Sequence, residues 1–521
     1  MLCHDGSTFA KLDKRLPTFS GALSVDSFNI PRMNCMFSRF IQYVLLGIVF
    51  SSAASAQVPY PCRVAGFSTQ VECGKVQRAL DPAQPQGVKI DVQFVVVPAL
   101  ARRKLPDPVF FLAGGPGQSA IGIAPMLTKQ MRRLNNRRDL VFVDQRGTGL
   151  SAPLVCDDDQ RSPLAQQLDP ARRSALVRQC LSQLQKLPYG DLRFFTTYLA
   201  MQDIDAVRLA LGAPQINLIG GSYGTRAALE YTRQFPQHVR RMVIDGVAPP
   251  DAALPASVST DSQAAFNALL AACEQDASCQ QAYPKLRADW AALLEQMPQP
   301  ISLAHPLTGA AERFTLTREM VLASVRGPLY SPALTSALPY AITQAAQGRY
   351  EALMGLSRAL ASNKADRMAI GMHFSVICAE DMSRLAASTD KPGADFGAEF
   401  GQLYTETCAY WPRGKVPEAF YALTSSRAPA LVLSGGLDPV TPVRHGARIA
   451  TALGSKAQHV VVPNAGHGVI TLDCMSDVLF RFIDTEDDAQ ATAIDAGCVK
   501  NIPRPTAFMP VNNAPLVAPL N

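Results

Sequence analysis

At 521 residues the chain is long for one domain and short for three, so one large domain with an insertion, or two domains, is the expected organisation. Its composition, 48% hydrophobic and 18% charged, is that of a globular protein with material for a substantial core. The net charge of +6 is spread along the sequence, with only short pairs such as Arg102 and Arg103, Arg132 and Arg133, or Arg137 and Arg138. No basic stripe or aromatic-basic module accompanies them, which argues against nucleic acid as a partner and leaves these arginines as solvated surface.

In chain order, the first informative segment is residues 41–54, IQYVLLGIVFSSAA, preceded by Arg39 and closed by Ala54-Ser55-Ala56. A basic flank, a short apolar run and an A-x-A site describe a secretory signal peptide. The run is shorter than the ~20 apolar residues of a membrane span, so none is expected in the mature form. The polar stretch ahead of it is more than a signal peptide needs, so Met33 or Met36 is the expected start and residues 1–56 are read as leader. No cysteine follows the cleavage site, so lipid attachment is not indicated. The destination is the periplasm or the external medium.

Of 12 cysteines, Cys3 and Cys35 lie in the leader and 10 remain. These fall as neighbours: Cys62 and Cys73, Cys156 and Cys180, Cys273 and Cys279, Cys378 and Cys408, Cys474 and Cys498. An even number in an exported chain points to disulfides. Sequence does not fix connectivity; neighbour pairing, which closes five small loops, is the expected pattern. With no C-x-x-C and no closely spaced histidine, metal ligation is not expected.

Residues 88–97 alternate and then run apolar, as a strand near a sheet edge would. Short apolar runs ending in turns follow: residues 109–113 before GGPG, 140–143 before DQRG, 216–219 before GGSYG and 242–247 before APP. Residues 430–433 precede SGGLD, and residues 459–462 precede PNAGHG. Helical patterns at 200–211 and 225–235 separate some of them. Apolar strands alternating with helices predict an α/β fold, a mostly parallel sheet covered on both faces. In such sheets function gathers at the carboxyl ends of the strands. From 251 to 427 the pattern turns helical (262–273, 283–296, 316–324, 338–346, 350–361) without a strand series, and is read as a cap insertion between core segments 57–250 and 428–521. The proline-rich tail after 503 is expected to wrap loosely over the surface.

Gly220-Gly221-Ser222-Tyr223-Gly224 matches G-x-S-x-G between a strand-like INLIG and a helix-like TRAALEYTRQF, the setting of a strained nucleophilic serine. Serine needs a positioned base. His238, His305, His373, His445 and His459 fall in helix ends, cap or strand. His467, in Asn464-Ala465-Gly466-His467-Gly468, sits in a glycine turn after a buried-type strand and is the expected base. Asp438, after LVLSG, is the expected carboxylate partner, chosen over Asp245 and Asp473. The order Ser, Asp, His is that of the α/β arrangement. An oxyanion hole needs two converging N–H groups. Tyr223 supplies one, and the Ala113-Gly114-Gly115-Pro116-Gly117 turn supplies the other, with Gly115 preferred over Gly114.

GGPG after a strand, DQRGTGLS, GGSYGTRAALEY and the segment from Asp438 to His467 together resemble the proline iminopeptidase and tripeptidyl-aminopeptidase branch of α/β-hydrolases. The resemblance runs from about residue 88 to residue 498 and is weakest in the cap. It implies an α/β-hydrolase fold with a helical cap, a triad of Ser222, Asp438 and His467, and release of one or a few residues from a peptide's free N-terminus. One departure concerns Ala113, where related iminopeptidases carry histidine before GGPG; secreted tripeptidyl-aminopeptidase-like members are the nearer likeness. Such enzymes need an anionic anchor for the substrate ammonium. Glu380, helped by Asp381, is the expected anchor, beside Cys378 in the cap. Asp144 and Arg146 of DQRG are expected to brace a loop.

The reading is a serine peptidase that needs no metal or organic cofactor. The alternatives are an esterase or amidase with the same triad, or a non-catalytic binding protein on this fold, whose sign would be a lost triad member. Epoxide hydrolase and dehalogenase chemistry would need an aspartate at Ser222. Nothing in the sequence fixes the oligomeric state.

Overall fold

A computed structural model of the protein describes residues 56–156, 162–359 and 368–509. The leader reading falls outside these residues, apart from Ala56. Nine strands form one sheet in the order β1-β2-β3-β5-β4-β6-β7-β10-β11. The strands are β1 (Ala56–Cys62), β2 (Val71–Ala79), β3 (Lys89–Val97), β4 (Val109–Leu112), β5 (Leu140–Val143), β6 (Ile216–Gly221), β7 (Val239–Asp245), β10 (Ala430–Gly435) and β11 (Ala457–Val462). From β5 to β11 every pair is parallel. β1, β2 and β3 add on antiparallel.

The central strands are apolar throughout because both faces of the sheet are covered. Val109 and Phe111 of β4 point into one core with Ala124, Leu127 and Phe482; Phe110 and Leu112 point into the other with Ile204, Ala227 and Tyr231. β6 and β10 divide in the same way, with Leu218 and Val432 on one side and Ile219 and Leu433 on the other. One expectation changes here. β3 is third from the edge, with β2 and β1 outside it. Those outer strands carry charged and half-exposed positions, and Cys62–Cys73 ties them together.

Between β7 and β10 the chain leaves the sheet. Helices Leu254–Gln275, Leu286–Glu295, Arg318–Leu329, Leu338–Ala346 and Glu351–Arg358 pack around Phe266, Trp290, Leu293, Val325, Ile342 and Leu353. This segment also holds a strand pair that its pattern did not announce: β8 (Gln299–Ala304) against β9 (Ala311–Leu316). Each strand has only six residues, and in β8 only Ile301 and Leu303 are buried. Residues 504–509 have no regular structure, yet they are tied down. Phe508 gives its N–H to Ser336, takes the Tyr283 hydroxyl on its carbonyl and stacks edge-on with Tyr340.

All ten cysteines from Cys62 onward form disulfides, each with its sequence neighbour as expected. Among the described residues no helix is long and apolar enough to cross a membrane. Cys378–Cys408 spans 30 residues, and both cysteines are 1% exposed. Replacing both by alanine should cost about 3–4 kcal/mol through the freed unfolded chain. The measurement is the reversible melting temperature, expected to fall by several degrees; an unchanged value would mean the bond adds no stability.

Candidate active site

Neighbouring strand ends are aligned: Gly220 pairs with Leu112, Gly221 with Asp245, Asp245 with Leu433, and Gly435 with Val462. Ser222, Asp438 and His467 follow β6, β10 and β11, so they rise from one edge of the sheet. Ser222 sits between β6 and helix Tyr223–Gln234 with φ 56°, the left-handed region that non-glycine residues rarely occupy. The turn closes because its flanks lack side chains. A Cβ at Gly224 would overlap the Leu112 carbonyl, and one at Gly220 would overlap the Gly224 carbonyl. Gly221 meets only ordinary contact, so the motif's two outer glycines are the ones geometry demands.

His467 Nδ1 donates to Asp438 Oδ2 at 2.8 Å. Asp438 is 1% exposed and also accepts Val440 N–H and Thr441 N–H at 2.9 Å each. The Thr441 hydroxyl donates to Asp438 Oδ2 at 2.7 Å and lies 3.1 Å from His467 Nδ1. Burial works to raise the Asp438 pKa, but the charge and hydrogen bond of His467 and the Thr441 contacts hold it below the ordinary carboxylate value. For His467, burial acts to lower the pKa. Asp438, with a smaller push from Asp245, outweighs this and lifts it above the ordinary histidine value, while Arg326 acts the other way. Nε2 is thereby left for the serine side. The Ser222 hydroxyl makes no hydrogen bond among the described residues; such bonds often tighten only with substrate present.

The two glycines of the turn differ in their bonding. Gly114 gives its N–H to Gln118 Oε1 at 3.2 Å, while Gly115, at φ 109°, has no such partner among the described residues. Tyr223 opens its helix, so its N–H is one of the donors left without an intrahelical acceptor. His373 reaches in from the 251–427 segment and donates Nδ1–H to the Pro116 carbonyl at 3.1 Å. Asp144 is fully buried and takes Ser119 Oγ, Ile121 N–H and Leu150 N–H, while Arg146 pairs with buried Asp203 at 2.6 Å. Both brace the neighbouring loops.

A cavity of about 60 Å³ lies beside Ser222, walled by Gly115, Tyr223, Ala248, Ile377, Val440 and Asp381. Of the two carboxylates, Asp381 and not the preferred Glu380 reaches this cavity. Asp381 lines the cavity; Glu380 stands behind it, fully buried, taking Thr197 N–H at 2.7 Å and the Thr197 hydroxyl at 2.9 Å. Thr197 Oγ1 is in turn 2.6 Å from the Tyr223 hydroxyl. Arg226 bonds Asp381 at 2.7 and 3.2 Å and approaches Glu380 at 3.6 Å. Burial pushes the Glu380 carboxyl up to about 7, against the pull of Arg226 and Thr197. Sequence reading missed Arg226, Thr197 and Thr441. A lone arginine four residues after the serine, and a threonine three after Asp438, were their only signals.

Comparison with known proteins agrees with this architecture. A family model described as the alpha/beta hydrolase fold matches residues 107–300, and one described as TAP-like protein matches residues 394–493. The chain has the α/β-hydrolase fold and is an enzyme, a serine hydrolase. Among proteins of known activity it is similar to peptidases. It is 26% identical over 453 residues to the serine protease Hip1 of Mycobacterium tuberculosis, covering 77% of this chain and 85% of that one. Over 193 residues it is 32% identical to the tripeptidyl aminopeptidase of Streptomyces lividans, covering 34% of this chain and 36% of that one. Over 142 residues it is 28% identical to the proline iminopeptidase of Neisseria meningitidis, covering 27% of this chain and 32% of that one.

Thr441→Val removes the hydroxyl on Asp438 Oδ2 and keeps the N–H. A lost bond to a charged acceptor is worth about 1.5 kcal/mol, so kcat should fall ~10-fold with KM little changed. Steady-state kinetics on any turned-over substrate decides this, and wild-type kcat would remove Thr441 from the assembly.

Proposed function

We propose that this chain is an exported serine aminopeptidase that releases one or a few residues from peptide N-termini through an acyl-enzyme on Ser222. The observation that carries the reading is the 2.8 Å pair of His467 and Asp438 at the same sheet edge as the strained Ser222. His467 Nε2 takes the Ser222 proton as Oγ attacks the peptide carbonyl. The N–H groups of Gly115 and Tyr223 face the charge that develops on oxygen. The imidazolium, held by Asp438, gives its proton to the leaving amine. Water then enters, loses a proton to His467 and releases the acyl group.

Residues 251–427 act as the cap that limits which substrates reach this edge. Asp381 in the cavity wall meets the substrate ammonium, with Glu380 behind it: two carboxyls share the one Arg226 guanidinium. The five disulfides support export to an oxidising compartment, periplasm or medium. A second reading, an esterase or amidase, is favoured by one observation: Arg226 already occupies both Asp381 oxygens.

Two chromogenic peptides that differ only in N-terminal acetylation separate these readings, with Ser222→Ala as blank and a short-chain ester alongside. Cleavage confined to the free amine, and a KM raised ~10-fold or more in Asp381→Asn, is the expected result for a lost charge-assisted contact. Equal cleavage of both peptides, or activity on the ester alone, supports the second reading. The acidic limb of kcat/KM follows His467. The ring must be neutral to accept a proton, and its pKa is raised. Activity is therefore present at higher pH and is lost as pH falls through a midpoint above the ordinary ~6.5. A rate flat to about pH 4 would remove His467 as the base.

A further inference from the structure

Asp245 ends β7, one strand over from the serine, and Asp438 rather than Asp245 is the carboxylate bonded to the imidazole. Its backbone carbonyl accepts the N–H of Ser222 at 2.8 Å. Its side-chain Oδ2 accepts the N–H groups of Val469 at 2.8 Å and Ile470 at 3.0 Å, just beyond His467 and Gly468. One residue thus holds both the nucleophile's backbone and the histidine's loop. Its Oδ1 is buried and has no hydrogen-bond partner among the described residues. Such an atom is costly to bury and calls for an explanation. Gly246, the next residue, lies against the imidazole: a Cβ there would stand 3.2 Å from His467 Cε1 and 3.4 Å from Nδ1.

We propose that Asp245 is a positioning residue of the reaction: it locks the His467 loop to the strand end beside Ser222 and sets a second negative charge near the imidazolium. The proposal rests on the triad reading above. Around His467 the charged groups are Asp438 from the loop after β10, Asp245 from β7 and Arg326 from helix Arg318–Leu329, with the Tyr330 ring packed edge-on at 5.2 Å. The charged groups acting on Asp245 are His467 and Asp438. Asp438 holds the ring's tautomer and takes most of the developing charge. Asp245 makes no bond to the ring and acts through the loop and through its field. Burial pushes its carboxyl up to about 6, against the two loop N–H groups and His467. It is therefore ionised where His467 is neutral and working, and it loses its charge within the acidic limb.

The test compares the whole wild-type chain with Asp245→Asn and Asp245→Ala, reading kcat, KM and melting temperature between about pH 5 and 9. A fluorophosphonate probe, blocked in Ser222→Ala, reports Ser222 reactivity in each. Asparagine keeps a carbonyl oxygen for the loop N–H groups but removes the charge. Its acidic midpoint should move down by about 0.5 pH unit, with kcat lowered and KM within about twofold. Alanine also loses the tether, and its kcat should fall ~100-fold. Loss of folded protein would lower activity without moving the midpoint. An unmoved midpoint with wild-type kcat in Asp245→Asn overturns the proposal. A wild type that the probe does not label at Ser222 would instead overturn the triad reading beneath it.

Discussion

The register of β6, β7, β10 and β11 is the constraint on which the rest of this molecule depends. β6 ends level with β7, and β10 with β11 two residues further on; each turns outward into a different part: a strained serine, an aspartate that ties loops, a fully bonded carboxylate and a histidine. Parallel pairing supplies this alignment because every strand points the same way: β6 returns to β7 through helix Tyr223–Gln234 and β10 to β11 through helix Val443–Leu453, while β7 returns to β10 through residues 251–427. The backbone bond from Ser222 to the Asp245 carbonyl continues the pairing one step past β6. A slip of one residue would turn the apolar face of a strand to the wrong side, so the two cores that fill the sheet's faces also fix the spacing of the site.

The 251–427 segment is bonded to the loops that carry Ser222, Asp438 and His467. His467 gives its backbone N–H to the Tyr330 carbonyl at 2.9 Å, and Tyr330 follows a helix of that segment. His445, on the core side, meets buried Asp261 at 2.9 Å from helix Leu254–Gln275. Arg226, on the helix that follows Ser222, reaches across to Asp381. These contacts are ionic or polar and largely buried. Breaking one partner of such a pair costs more than the pair contributes, because the charge left behind is unsatisfied. An apolar contact adds to them: Met372, Phe374, Val376 and Trp411 of the same segment share one core with Leu154, Phe195 and Tyr223.

How far the sequence could be read follows from where information is local. β4, β5, β6 and β10 announced themselves because strands covered on both faces are apolar throughout. β1 and β2 did not, since their stability comes from a disulfide and from Gly74 lying under the Phe94 ring. Ser222, Asp438 and His467 stood out because tight turns need glycine at fixed spacing, and spacing is visible in a string. Glu380 and Asp381 were visible as a pair, but not which of them reaches the cavity. Adjacent residues on a helical turn point about 100° apart, and only the positions of Thr197 and Arg226 decide which side faces what. The tether at Asp245 was hidden for the same reason: its partners are backbone groups more than 220 residues away.

The disulfides carry a consequence for how the chain acquires its shape. Each bond joins a cysteine to the next one along, with separations of 6 to 30 residues, and no two loops interlock. A chain emerging N-terminus first into an oxidising space would present its thiols two at a time in the order they must join. Oxidation as fast as emergence then yields the native set directly, so the protein has little need of an isomerase to shuffle wrong partners.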